Sequence, residues 1–437
     1  MTFWVFKKGL SMLLEFLVEN FRSIREEARF SLVATTKKDE IHEDNVIRPN
    51  LAEGVKSIPL LRSAALYGPN AGGKSNLIKA LGTMQEIVIT SSQNLETLPI
   101  TPFKFSSEAS KAPSVFEVTI FAEGVRYQYG FSATSLAIHE EWLFAFPKGR
   151  VQTWFERSIS AEGEYDYRFS DKLIGDKDVW KRATRPNALF LSTAIQLNSQ
   201  QLQPVFNWFA NKLRVAGIRG WSPHFSIEWC QDNNRKSQVL DFLRAADFAI
   251  SDIHVNEEEF SPDSLPSKLP VHARKFLEYE LQGKKGFRVT TFHQSDSGNL
   301  VDLGLREESD GTKKMFNFAG PWLDSLEKGH VLFIDELHDS LHPLLVKFLV
   351  QLFHSNDSNP NQAQLVFSTH ETSILSQEIF RRDQIWFCER DEMQNTKLYS
   401  LAEFSPRKGV ENLERGYPSG RYGALPFVRA ITQNFGG

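Results

Sequence analysis

Gly68, Gly73, Lys74 and Ser75 stand in the segment GPNAGGKS, which fits the pattern G-x-x-x-x-G-K-[ST]. Glycines let such a loop curl so that successive backbone N–H groups point inward, and the helix that follows adds unpaired donors and a partial positive charge. This chemistry suits a triphosphate. Asn70, Ala71, Gly72, Gly73, Lys74, Ser75 and Asn76 are expected to line the cradle. Lys74 would reach the β- and γ-phosphates, and Ser75 would ligate Mg2+. The context supports the motif: Ala64–Tyr67 reads as a buried strand, and Asn76–Leu81 reads as the opening of a helix.

Binding phosphate is not hydrolysing it. Hydrolysis also needs a metal, a base and neutralised charge at the γ-phosphate. The run VLFIDE supplies acids at the right kind of place. Val331–Ile334 forms an apolar strand, Asp335 at its end would hold Mg2+, and Glu336 would activate the attacking water. A second apolar strand, in VFSTH, ends at His370, whose imidazole would sense the γ-phosphate and hold the water. His338 and His342 also lie near Asp335. They are expected to sit in the turn before a helix that starts at Pro343.

These residues need a frame. The chain has 437 residues, 41% of them hydrophobic, with 35 Phe and 9 Trp, so two or three structural units with packed cores are expected. A formal net charge of −4 gives no global basic field for nucleic acid. The basic clusters KRATR (Lys181–Arg185) and GKKGFR (Gly283–Arg288) read as solvated faces. Two cysteines, Cys230 and Cys388, make neither a disulfide framework nor a zinc site, which fits a reducing cytoplasm. The N-terminal apolar stretch is broken by Lys7, Lys8, Glu15 and Glu19, so neither a signal peptide nor a membrane span is expected, and Met12 is a candidate start.

Alternation from Leu14 to Val18 predicts a strand, and Ser114–Ser132 predicts a hairpin followed by a strand in HEEWLFAF. The segment from Ala188 to Leu213 is helical in period, with an interruption at Pro204. A second helix carries Val239, Phe242, Leu243, Ala246, Ala249 and Ile250 on one stripe. Ser261–Pro270 is turn-rich and reads as a linker. Later apolar strands alternate with helices, which argues a parallel sheet covered on both faces. The division expected is 12–145 for a first part of the nucleotide domain with a β subdomain, 146–285 for a mainly helical insertion, and 286–437 for the rest of the nucleotide domain. Lys74 and Asp335 lie too far apart for a compact kinase or GTPase, and the base-reading motif N-K-x-D is missing.

The sequence resembles the ABC-class ATPases found as soluble bacterial AAA-family proteins of the OLD-like and RloA-like defence group. More distantly it is similar to the heads of SMC and RecF proteins. NFRSI (Asn20–Ile24), the P-loop, TPFKF (Thr101–Phe105, at the Q-loop position but without a Gln), EESDGTKK (Glu307–Lys314), FIDELHDSLHP, FSTHE and SGRYGALP (Ser419–Pro426) carry the resemblance. It implies an α/β P-loop NTPase of ABC-ATPase head type, with a parallel sheet core, an antiparallel β subdomain and a mainly helical insertion. It implies that Arg22 and Ser23 approach the nucleotide. It also implies that Ser309 and Gly311, in the signature segment, meet the γ-phosphate of an opposite subunit in a head-to-head dimer or higher homo-oligomer. The cofactors implied are ATP and Mg2+. The insertion shows no heptad array or cysteine hook, and no nuclease-like acidic cluster follows the switch strand, so a nuclease would be a separate chain.

The function expected is a cytoplasmic ATPase acting as a nucleotide-driven switch in antiphage defence, with a separate effector such as a TOPRIM or HNH nuclease and no membrane partner. Two alternatives stay open: an ATP-stabilised scaffold with little hydrolysis, and a recombination or repair ATPase that binds nucleic acid.

Overall fold

The computed structural model describes residues 11–35, 42–49, 57–94, 96–217, 221–259, 270–271, 274, 285–404 and 412–426. The turn-rich stretch Ser261–Pro270 lies, Pro270 apart, outside the described residues. In chain order the strands begin with β1 (Met12–Glu19), β2 (Ala28–Ser31), β3 (Val46–Ile47), β4 (Leu60–Leu61) and β5 (Ser63–Tyr67), followed by helix α1 (Lys74–Thr90). Then come β6 (Ser114–Ala122), β7 (Val125–Ala133), β8 (Ile138–Phe146), β9 (Gln152–Ile159) and β10 (Tyr165–Phe169). The middle holds α2 (Lys177–Ala183), α3 (Phe190–Gln196), α4 (Gln203–Asn207), β11 (Leu213–Ala216), α5 (His224–Cys230), α6 (Asn233–Ala245) and β12 (Asp252–Glu259). After these come β13 (Lys285–Gln294), β14 (Leu300–Gly304), α7 (Asp310–Lys328), β15 (Val331–Ile334), α8 (Pro343–His354), β16 (Gln364–Ser368), β17 (Ile385–Arg390) and β18 (Thr396–Ser400).

The chain forms two units. The first comprises 1–219, 325–339 and 343–437. Its six-stranded sheet runs β11-β15-β16-β5-β17-β18, parallel except for β18. β5, β16 and all four residues of β15 are buried throughout, as expected of strands covered on both faces. The second sheet, β10-β9-β8-β7-β6-β1-β2, is antiparallel. Its β6–β7 hairpin turns through Glu123 and Gly124, both at positive φ (51° and 80°), as a two-residue turn of matching twist requires. The two sheets and α1 share one core. Phe30 of β2 lies 6.2 Å from the ring of Phe333 on β15 and 5.2 Å from that of Trp386 on β17.

The antiparallel sheet does not stop at 146. β9 and β10 continue it past the boundary expected from sequence, because β9 pairs in register with β8 and β10 with β9. A buried carboxylate locks this part down. Glu141 of β8 accepts from the N–H groups of Phe190 (2.6 Å) and Leu191 (2.9 Å), capping α3, and lies 3.7 Å from the buried guanidinium of Arg157. Arg185, in the basic cluster KRATR, donates to the carbonyls of Ser91 (3.1 Å) and Asn94 (2.8 Å), so it clamps a loop. Pro204 stands in the first turn of α4; the break comes earlier, at Asn198, where φ is 65°.

The second unit comprises 220–324 and 340–342. It holds α5, α6, an antiparallel sheet of order β12-β13-β14, and most of α7. Helix α6 ends at Ala245, short of the stripe expected to reach Ile250, because Asp247 takes φ 65° and turns the chain toward β12. Pro321 inside α7 has no N–H, which leaves the Asn317 carbonyl without its helical donor. The Ser226 hydroxyl fills this gap, 3.5 Å from that carbonyl, and accepts from Gly320 N–H at 3.0 Å. A Cβ at Gly320 would collide with Phe225 and Ser226, so only glycine permits the repair.

Candidate functional site

The glycine loop leaves the C-terminal end of β5 and enters α1 at Lys74, as the sequence predicts. All three of its glycines are dictated by neighbours, Gly72 by the Cys388 carbonyl oxygen. A Cβ at Gly68 (φ 148°) would run into the Cys388 carbonyl oxygen of β17, and one at Gly73 (φ 107°) would run into the Thr396 side chain of β18. Ala71 also sits at positive φ, 65°, and Asn70 and Ala71 are exposed at the tip. Gly72 is buried; Ser75 and Asn76 are half-buried.

Lys74 is buried, and its ammonium donates to the carbonyls of Gly68 (2.7 Å) and Pro69 (3.1 Å). It also meets His370 Nε2 at 3.2 Å. Burial lowers the Lys74 pKa, against the pull of Cys388, Asp335 and Glu336. The far-off acids therefore stand within electrostatic reach of the loop. The topology explains this: β16 lies between β5 and β15, so the loop, His370 after β16 and Asp335 after β15 emerge at one sheet edge. That edge, the carboxyl ends of parallel strands, is where open α/β sheets bind ligands.

Asp335 is 2% exposed, and its Oδ1 accepts from Ser368 Oγ at 2.6 Å. The same hydroxyl accepts from Glu336 N–H at 2.8 Å. Glu336 takes φ 54°, a left-handed conformation that a non-glycine residue holds only when its surroundings enforce it. Ser368 thus orders both acids. Sequence reasoning passed over it, because a serine inside an apolar strand carries no spacing signal of its own.

Burial, with Lys74 and His338 beside it, lowers the His370 pKa to about 4, against a Gly68 backbone hydrogen bond and Asp335. His338 lies in the turn expected for it, yet its ring stands 5.5 Å from that of His370 at 82°. Its Nδ1 is buried without a hydrogen-bond partner. Burial lowers its pKa as well, with Lys74 adding to this and Glu336, Asp339 and Glu371 opposing. His338 belongs to the site; His342 lies in the second unit and is exposed.

The NFRS turn is joined to α1. Ser23 Oγ accepts from Asn76 Nδ2 at 2.7 Å and bonds Thr396 Oγ1 at 2.8 Å. Arg22 has φ 53°, donates its backbone N–H to Thr101 O at 2.8 Å and exposes its side chain. Ser309 and Gly311 lie in the second unit. There Ser309 Oγ accepts from Thr312 N–H at 3.1 Å, capping the first turn of α7.

The donors at the sheet edge fit a magnesium nucleotide. A serine hydroxyl and a carboxylate are hard oxygen ligands of the kind Mg2+ takes together with phosphate oxygens and water. A glycine cradle, a buried lysine and an acidic pair on the next-but-one strand define an α/β P-loop NTPase. Residues 63–376 match the family described as "AAA domain, putative AbiEii toxin, Type IV TA system", and the chain belongs to that family. Among solved structures it is similar to the SMC head domain from Thermotoga maritima, at 11% identity and a TM-score of 0.39, over 89% of this chain and 98% of that one. It is similar to the recombination mediator RecF with ATP, at 13% identity and a TM-score of 0.32, over 90% and 99% of the two chains. A third is the Smc head domain from Pyrococcus furiosus bound to the C-terminal domain of ScpA, at 11% identity and a TM-score of 0.34, over 94% and 99%. No curated protein matches by sequence. No helix among the described residues is long and apolar enough to cross a membrane.

Proposed function

We propose that this chain hydrolyses ATP and uses the cycle as a switch. The observation that carries the reading is the contact of Lys74 Nζ with His370 Nε2, made where the Asp335–Ser368–Glu336 array ends its strands. Asn70–Asn76 cradle the phosphates, and Arg22 and Ser23 border the nucleotide. Ser75 and Asp335 would hold Mg2+, which would neutralise phosphate charge. Lys74 exchanges the Gly68 and Pro69 carbonyls for phosphate oxygens. Glu336 takes a proton from water as that water attacks the γ-phosphorus and the bond to the bridging oxygen breaks. His370, neutral, holds the water.

The subgroup and setting follow from weaker support. The family description speaks of a toxin in a type IV toxin–antitoxin system, which favours a two-component device. On that ground, and on the motifs, we place the chain with OLD-like and RloA-like defence ATPases in the cytoplasm. It would act as a homo-oligomer in which Ser309 and Gly311 of one copy face the nucleotide of another, with a separate effector, a TOPRIM or HNH nuclease. Phosphate release by the purified chain with Mg2+ and ATP tests the enzyme reading. Nucleotide bound without turnover would leave a scaffold in its place.

A further inference from the structure

Glu308 is 9% exposed, yet Glu307 before it and Ser309 and Asp310 after it all face solvent. A carboxylate is costly to bury unless donors meet it, and β13 brings two groups to this one. Thr291, 0% exposed, donates its hydroxyl to Glu308 Oε1 at 2.5 Å. His293, two residues further along the strand, brings Nε2 to the same oxygen at 2.7 Å. The other nitrogen of that ring, Nδ1, lies 3.0 Å from the Ala249 carbonyl, just ahead of β12. A carbonyl only accepts, so Nδ1 carries a proton and the imidazole is held at both ends.

The surrounding fold is already complete without this carboxylate. β13 is paired on both sides, with β12 and with β14. Helix α7 has its cap in Ser309, whose Oγ accepts from Thr312 N–H at 3.1 Å and bonds Thr312 Oγ1 at 2.8 Å. The turn from β14 is closed by Gly304 N–H, which donates to Glu307 Oε2 at 2.9 Å. What Glu308 adds is a fixed place for the exposed residue that follows it. Ser309 stands one peptide link away, about 3.8 Å between Cα atoms.

We propose that Glu308, gripped by Thr291 and His293, is a positioning residue that aims Ser309 and Gly311 at the nucleotide of a second copy. The inference rests on the homo-oligomeric ATPase reading and deepens it, naming the groups that set the signature segment.

Glu308→Ala tests it, with Glu308→Gln beside it. Neither variant strands a buried donor. Thr291 Oγ1 also lies 3.0 Å from the Leu303 carbonyl, and the His293 side chain is 32% exposed. Both variants should keep the wild-type dissociation constant for ATP, because Lys74 and its loop are untouched. Glu308→Ala should lose kcat on the order of 10²-fold, the effect of a small misplacement of a reacting partner, and should lose ATP-dependent self-association in sedimentation velocity. Glu308→Gln keeps an acceptor for Thr291 and should fall between it and wild type. The deciding sample mixes Glu308→Ala chains with Lys74→Ala chains, each nearly inactive alone. In a mixed dimer the first supplies Lys74 and Glu336, and the second supplies a correctly held Ser309. Random pairing makes about half of two-fold dimers mixed, each with one complete site of two, so about a quarter of wild-type turnover should return. Wild-type turnover by Glu308→Ala would overturn the proposal. So would a mixture that recovers nothing, or a fall in thermal midpoint and ATP binding that accounts for the loss. A wild type that binds ATP and self-associates without releasing phosphate sinks the enzyme reading alone. Association retained by Glu308→Ala would then sink this one.

Discussion

Lys74 Nζ and His370 Nε2 lie 3.2 Å apart. Two donors cannot share that contact, so Nε2 is the acceptor and the imidazole is neutral, with its proton on Nδ1. Its pKa near 4 agrees, since burial and the ammonium both disfavour a second positive charge. A group so depressed stays neutral above pH 4. The kcat/KM of the free enzyme should therefore show no His370 inflection between about pH 6 and 8, where an ordinary histidine titrates. It should fall only toward pH 4, as the imidazolium forms and repels Lys74. A pH profile with an acid limb near 6.5 that vanishes in His370→Gln would contradict this.

Glu336→Gln should separate binding from chemistry. The amide keeps the shape but cannot take a proton, so kcat should drop by about 10²–10⁴-fold while ATP is retained. Lys74→Ala should do the reverse, removing the charge that meets the phosphates and leaving little nucleotide bound. Equilibrium dialysis with labelled ATP beside a phosphate-release assay distinguishes them. Full turnover by Glu336→Gln would remove the base assignment.

Ser368 should matter without touching substrate. Its hydroxyl donates to Asp335 and accepts from Glu336 N–H. Ser368→Ala frees the buried carboxylate from its donor and lets the strained turn at Glu336 relax. Supporting groups of this kind cost roughly 10–100-fold in metal affinity or activity. A rise in the Mg2+ concentration needed for half-maximal turnover, with ATP binding in EDTA unchanged, is the signature of a positioning role. A uniform loss of thermal midpoint with no Mg2+ shift would reduce Ser368 to packing.

The parts of this site that were legible in sequence share a cause. β5, β15 and β16 carry short apolar runs, Ala64–Tyr67, Val331–Ile334 and Leu365–Phe367, so each strand and the group beyond its end could be read together. Ser368 escaped because its role exists only once β15 and β16 are neighbours. Thr396 escaped likewise: it explains why residue 73 must be glycine, but only after β18 has paired at the far side of β17. The extension of the antiparallel sheet through β9 and β10 was missed because half-buried alternation with several exposed charges looks like a polar connection. His338 shows the limit of a local reading. The turn was foreseen, but its contact with His370 comes from a different strand.

Gly73→Ala tests whether the loop is shaped by β18. A Cβ there meets Thr396 and φ 107° is strained for any side chain, so the substitution should destabilise by about 1–3 kcal/mol and abolish nucleotide binding. Adding Thr396→Ala removes the collision but not the strain, so recovery should be partial. Full recovery would show that crowding alone fixes the glycine.

His354 should set the acid limit of the fold. It ends α8 with its ring buried, and its Nε2 lies 2.7 Å from Ser63 Oγ on the P-loop strand. Ser63 Oγ also accepts from Gln384 Nε2 at 3.0 Å. Burial, with Arg62 and His42 nearby, lowers the His354 pKa to about 3. The unfolded chain takes up a proton at this residue as pH falls through about 6.5, whereas the native chain does not until about 3. Stability is thus fully present above pH 6.5 and is lost on acidification, at up to about 1.4 kcal/mol per pH unit for this one proton. His354→Gln can still accept from Ser63 and cannot charge. Urea unfolding at pH 7, 6 and 5 should show the variant losing stability less steeply, by about that slope between pH 6 and 5. Parallel slopes would place the acid sensitivity elsewhere in the fold.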